Sequence, residues 1–170
     1  MTTSLVELVI EDAAWTSVLP DLGDTVEQAA RMALNTLPEG HCDAEICVLA
    51  CNDTRIEALS SEFRGKPAPT NVLSWPALEL APDAPGGAPE LPPTPESGPI
   101  FLGDVAIALQ TSAREAKESS RPLKSHVVHL ILHGTLHLLG YDHETPEDAE
   151  LMEGIERKAM TSAGYPDPYA

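Results

Sequence analysis

The sequence predicts one α/β (α+β) domain, and three observations carry that prediction. Strand-like runs alternate with helical ones through the first two-thirds of the chain, and the last third reads as helix throughout. A chain of 170 residues is long enough to bury one core and short for two. A hydrophobic content of 42% excludes a chain that stays disordered for want of apolar surface.

Each element has its own signal. Val6 to Ile10 is rich in branched apolar residues and stops at Glu11-Asp12, which marks a first strand. A helix is expected over Thr25 to Leu37, with Asp24 as its N-cap, an apolar stripe through Val26, Ala29, Ala30, Ala33 and Leu34, and Pro38 with Gly40 to stop it. Ile46 to Cys51 is the second strand. Asn52-Asp53 then caps a short helix, Thr54 to Phe63, which Arg64-Gly65-Lys66-Pro67 turns away. Asn71 to Trp75 is the third strand and Ile100 to Leu109 the fourth, the latter interrupted at Gly103-Asp104. Three more helices are expected at Thr111 to Ser119, Pro122 to Leu139 and Pro146 to Ala163; Thr145 caps the last and Gly164 lies just past it.

Between the third and fourth strands, residues 76–99 hold eight prolines, Gly86-Gly87 and four acids. That composition predicts a loop. Its length makes it either an active-site flap or an insertion, and the sequence favours an insertion without packed structure of its own.

Charge narrows the function. Ten Lys plus Arg against 27 Asp plus Glu give a net charge of −17, which excludes a general binder of bare nucleic acid. The cations cluster at Arg114, Lys117, Arg121 and Lys124, with a second focus at Arg64 and Lys66, so a polyanion site is expected at one of these. Cys42, Cys47 and Cys51 are odd in number and close together, which argues against a disulfide framework and for a reducing compartment. Cys47 and Cys51 share a strand face and read as small buried hydrophobes. Neither a signal peptide nor a membrane span is visible, so the expected location is cytoplasmic.

Five of the six histidines fall between residues 126 and 143, and the remaining one, His41, reads as a surface loop residue. His133 and His137, four apart, stack on one helix face and can grip a single ion. Gly140 can take the positive φ that ends the helix, and the returning chain brings His143 to the same point. Three neutral imidazoles suit one Zn²⁺ per chain and leave a fourth position open, as in a catalytic site. His126 and His129, upstream, read as buried or as hydrogen-bond partners of the ligands. The spacing H-x-x-x-H-x-x-G-x-x-H is that of metzincin proteases, yet Gly134 stands where their general-base glutamate belongs, and no methionine turn is evident. Peptidase chemistry is therefore disfavoured.

The run His133-Gly134-Thr135-Leu136-His137-Leu138-Leu139-Gly140-Tyr141-Asp142-His143, with Phe63-Arg64-Gly65-Lys66-Pro67, Pro69 to Pro76 and Leu102-Gly103-Asp104-Val105, closely resembles the YbeY family of bacterial endoribonucleases and rRNA maturation factors. The resemblance implies a small mixed four-stranded sheet packed with about five to six helices, and a zinc site of His133, His137 and His143 at the C-terminal end of a central helix. It implies cleavage of single-stranded RNA in 3′-end maturation of 16S rRNA and in ribosome quality control. Small-subunit proteins and an Era-type GTPase would be partners, and neither DNA nor membrane would be. Arg64 is implied as the functional arginine; its planar fork suits a phosphate. Asp142 and Asp104 are candidates for proton transfer or for orienting a ligand. Two rival classes are a ribosome-assembly factor with a purely structural metal and a metzincin-like metalloprotease.

Overall fold

The computed structural model describes residues 5–38, 43–65 and 68–170. The expectations for Met1 to Ser4, His41, Cys42 and Lys66 fall outside the described residues, as does the side chain of Arg64. The elements follow the order β1 (Val6–Ile10), α1 (Ala14–Val18), α2 (Leu22–Leu34), β2 (Ala44–Cys51), α3 (Asp53–Arg64), β3 (Val72–Pro76), β4 (Ile100–Ala108), α4 (Leu109–Glu118), α5 (Leu123–Leu138) and α6 (Pro146–Ser162). The strands form one mixed sheet in the order β1-β2-β4-β3. β1, β2 and β4 run parallel, and β3 pairs antiparallel with β4, which leaves β3 at the edge.

Side-chain alternation along the strands sorts the molecule into layers. Ile46, Val48 and Ala50 of β2 and Val105 and Ile107 of β4 enter the main core, where they meet α2 through Val26, Ala29, Ala30 and Ala33 and α5 through Val127, Val128, Ile131 and Leu132. The opposite face gathers Cys51, Leu73, Ala106 and Ala108 against Ile56 and Leu59 of α3. Cys51 is buried as expected and Cys47 only half so. α5 thus lies across β3 and β4, apolar along most of its length because it is covered on several sides.

One boundary and one short helix differ from expectation. α2 begins at Leu22 and ends at Leu34. Leu22 is fully buried, so its packing draws the first turn back by three residues, and Asp24 sits within that turn as an acid favourable to the helix dipole instead of capping it. α1 has five residues, too few for a helical period to register in sequence. It is fixed by Trp15, fully buried, whose Nε1 donates to the Cys51 carbonyl at 2.8 Å. The interruption at Gly103 is a register shift, with Glu45 opposite Phe101 and Ile46 opposite Gly103.

Residues 77–99 hold no helix and only the turns expected of a proline-rich path. The stretch is nonetheless packed, contrary to the expectation of a detached insertion. Leu80 is buried, its carbonyl accepts from Glu90 N at 2.8 Å, and Gly86 N donates to Asp148 Oδ1 of α6 at 2.8 Å. Among the described residues, no helix is long and apolar enough to cross a membrane.

Candidate metal centre

α5 delivers two of the three expected ligands and its C-terminal turn delivers the third. The helix closes with Gly140 N donating to the His137 carbonyl and Tyr141 N to the Leu136 carbonyl, at 3.0 and 3.1 Å, the paired bonds of a Schellman motif. Gly140 takes φ 100°, and a Cβ there would sit 2.7 Å from the Leu80 backbone, so this turn requires glycine twice over. The chain then doubles back, and Asp142 Oδ1 accepts from His143 N at 2.7 Å, which holds the returning loop. Ligand atoms of His133, His137 and His143 lie within 4.8 Å of one another.

Hydrogen bonds fix what the two helical imidazoles offer. His137 Nδ1 lies 2.9 Å from the Tyr141 carbonyl, which can only accept, so Nδ1 carries the proton. His133 Nδ1 lies 2.8 Å from Glu156 Oε1 and donates to it. The neutral rings therefore turn bare Nε2 lone pairs toward each other, 3.1 Å apart. Burial, with the neighbouring His133 as the next cause, depresses the His137 pKa to about 4, so His137 is a neutral imidazole at pH 7. Two lone pairs aimed at one point repel unless a cation lies between them, and tetrahedral nitrogen ligands at about 2.0–2.1 Å from a metal are spaced much as these are. The residues fit a divalent cation.

Gly134 lets α5 lie close to the sheet. A Cβ would stand 3.0 Å from Val105 Cγ1 and 3.3 Å from Val72 Cγ2, so this position faces the sheet and has no room for a glutamate reaching toward the histidines. The departure from the protease pattern thus has a steric cause.

The histidines open into a groove of about 1280 Å³, walled by α5, the edge strand β3, Phe63 of α3 and the proline-rich stretch. Its described lining includes Glu79, Asp83, Glu90, Asp142 and Glu144, and no Lys or Arg among the described residues. The backbone of Arg64 ends α3 directly after Phe63, beside the groove. Asp142 lines it; Asp104 does not belong there. Asp104 shares a strand face with Ala106 and Ala108, is exposed opposite Cys47 and Trp75, and so lies across the sheet from α5.

The basic focus expected at residues 114–124 is largely spent on the protein's own acceptors. Lys124 Nζ lies 2.7 Å from Asp21 Oδ2, Arg121 donates to the Asp167 carbonyl at 3.2 Å, and Arg114 approaches Glu118 at 4.0 Å. His126 pairs with Glu115 at 2.9 Å. Two groups beside the converging histidines escaped sequence reasoning, Glu156 and Tyr169. Glu156 is fully buried and hydrogen-bonded to His129 Nε2 as well as to His133, and the Tyr169 hydroxyl donates to its Oε2 at 2.8 Å. Burial opposes its ionisation, but the hydrogen bonds from His129 and His133 prevail and lower its pKa to about 2. The available signal was an acid in an apolar stripe, since Glu156 lies four residues after Met152 and four before Met160, both buried.

A family model described as Endoribonuclease YbeY matches residues 10–164. Proteins named endoribonuclease YbeY from Dinoroseobacter shibae and Ruegeria pomeroyi are 52% and 50% identical, covering 96% of this chain and 90% and 96% of their own. A protein of Thermotoga maritima solved in solution shares the fold at a TM-score of 0.52 and 18% identity, over 94% of this chain and 91% of its own. A match across nearly the whole chain, together with three histidines converging at the end of α5, places this protein in the endoribonuclease YbeY family.

Proposed function

We propose that this protein is a zinc-dependent endoribonuclease that cuts single-stranded RNA, acting in the cytoplasm on the 3′ end of 16S rRNA and in ribosome quality control. Its partners would be the small ribosomal subunit and its proteins, with an Era-type GTPase among them. The observation that carries the reading is the pair of Nε2 lone pairs 3.1 Å apart at the floor of a groove, each ring's other nitrogen already committed. Family membership supplies the reaction class.

His133, His137 and His143 would hold the cation, which supplies Lewis acidity: it acidifies water and offsets charge building on a phosphoryl group. Arg64 is assigned to the phosphate, where a bidentate fork supports the developing charge and orients the scissile bond. Asp142 holds the His143 loop through its backbone bond, and its place in the groove also leaves it within the site for proton transfer. Asp104 is assigned no role, because the sheet separates it from the histidines. Against the acidic lining, the cation and Arg64 would be the local attractions for phosphate, so recognition of RNA would also draw on contacts supplied by the ribosomal subunit.

The rival reading of an assembly factor with a structural metal is opposed by the exposure of His143 at an open groove, since structural zinc sites are closed by four protein ligands. Single-turnover cleavage of a precursor rRNA fragment within the small subunit tests the proposal. Wild type should cut while His137→Ala and Arg64→Ala should cut far more slowly, and undiminished maturation by a metal-free His137→Ala protein would favour the assembly factor.

A further inference from the structure

The most deeply buried charge beside the histidines, Glu156, has no role in the reaction outlined above. An ionised carboxylate in a core persists only where donors surround it. Here three converge: His133 Nδ1 on Oε1 at 2.8 Å, with His129 Nε2 and the Tyr169 hydroxyl on Oε2, the latter at 2.8 Å. The third donor comes from the C-terminal tail, which is tied down to deliver it. Tyr169 N donates to Asp167 Oδ1 at 2.8 Å, Arg157 Nε lies 3.6 Å from the same oxygen, and the Arg157 guanidinium sits 5.3 Å from the Tyr169 ring centre. The Tyr169 ring in turn meets His129 edge-on at 5.6 Å.

We propose that Glu156 is the positioning residue of the histidine cation site, and that the C-terminal tail completes it through Tyr169. The carboxylate holds the proton on His133 Nδ1 and fixes the ring plane, so that Nε2 is presented unprotonated toward the point it shares with His137. His129 and Tyr169 occupy the second oxygen and keep the carboxylate from rotating. Glutamine in its place would offer one accepting oxygen and one amide donor, so one histidine would have to reverse its tautomer. The inference rests on the reading of His133, His137 and His143 as cation ligands. His129, His133 and Glu156 are also close enough to hold a cation themselves. That arrangement would strip the Nδ1 proton that Glu156 now accepts, and it would make a second site.

Cobalt(II) titration of the metal-free full chain, read by visible absorption and by chelator competition, separates these cases. Wild type should bind one Co²⁺ with the intense bands of a low-coordinate site. Glu156→Gln should bind it on the order of 10- to 100-fold more weakly, with shifted bands. Tyr169→Phe, which keeps the carboxylate and the ring, should move affinity and spectrum in the same direction by less. His126→Gln, which loses the Glu115 partner but leaves the donors on Glu156 in place, should match wild type. Thermal melts of the metal-free proteins show which are folded; should Glu156→Gln not fold, Tyr169→Phe carries the test. Wild-type affinity and bands in the folded variant would overturn the proposal, and so would two Co²⁺ per wild-type chain. A wild-type chain that binds no Co²⁺ would instead overturn the cation site beneath it.

Discussion

The two ends of α5 carry the same residue types and do opposite things with them. At the N-terminal end, Lys124 meets Asp21 and His126 meets Glu115, so each polar group ends on an acid of the same chain. At the C-terminal end, His133 and His137 are also satisfied, but through Nδ1 alone, and their Nε2 atoms are left facing each other. Thirteen residues of helix, about 20 Å at 1.5 Å per residue, separate Lys124 from His137. Function is legible in the capacity that remains after internal hydrogen bonds are counted, and a cluster of cations or histidines in sequence does not show which groups keep that capacity.

The sharpest way to break this comparison is to remove one converging lone pair. His137→Ala should lose its cation and reduce RNA cleavage on the order of 10³-fold or more, since both nucleophile activation and charge neutralisation go with it. Metal analysis of the purified variant beside single-turnover cleavage checks this, and stoichiometric zinc in a His133→Ala/His137→Ala double variant would end the three-histidine reading. Arg64→Ala should act differently: full metal content, an unchanged melt and cleavage lower on the order of 10²-fold. Unchanged turnover would return Arg64 to a structural role.

How far the sequence alone led depended on whether the signal was local. The histidine triad was readable because helix periodicity and the positive φ of Gly140 dictate where three side chains go. The strands were readable because β2 alternates between two buried faces. Glu156 and Tyr169 were not, because their meaning comes from contacts spanning 13 to 27 residues that no local pattern encodes. Asp104 was misplaced for a related reason. It belongs to one of the runs that carry the family resemblance, but strand alternation turns it to the other face of the sheet, and that can be known only once the face of Ala106 and Ala108 is fixed. The basic cluster was only half legible, because sequence spacing shows charges without showing Asp21 and Asp167 beside them.

The proline-rich stretch gives a prediction of intermediate size at the C-terminal end. Replacing residues 81–97 with a short Gly/Ser linker removes the Gly86–Asp148 bond and the cover over Gly140, while the added loop-closure entropy is small. The expected loss is about 1–2 kcal/mol, seen as a Tm lower by roughly 3–6 °C for a chain of this size. Cation content should be retained. An unchanged Tm would show those contacts to be incidental, and loss of the cation would show that the stretch shapes the turn carrying His143.

The smallest expected effect is at the opposite end of the helix, and it tests whether the comparison holds for RNA. With a net charge of −17, the protein should bind bare single strands weakly and with a shallow salt dependence. Each phosphate contact on a single strand contributes about 0.7 to the slope of log K against log salt. Because Arg121 and Lys124 already serve Asp167 and Asp21, the double charge reversal Arg121→Glu/Lys124→Glu should change that slope by less than one contact, measured by fluorescence anisotropy between about 50 and 200 mM salt. Arg64→Ala should remove about one. Cation affinity should be unchanged in Lys124→Glu alone, since Lys124 lies at the far end of α5 from His133 and His137, whereas Arg121 also holds the Asp167 carbonyl of the tail that carries Tyr169. A charge-reversed protein that loses two contacts, or that no longer cuts rRNA in the small subunit while keeping its cation, would show that the N-terminal end is an RNA surface whose internal ion pairs open on binding. The two ends of α5 would then divide the work between holding the strand and cutting it.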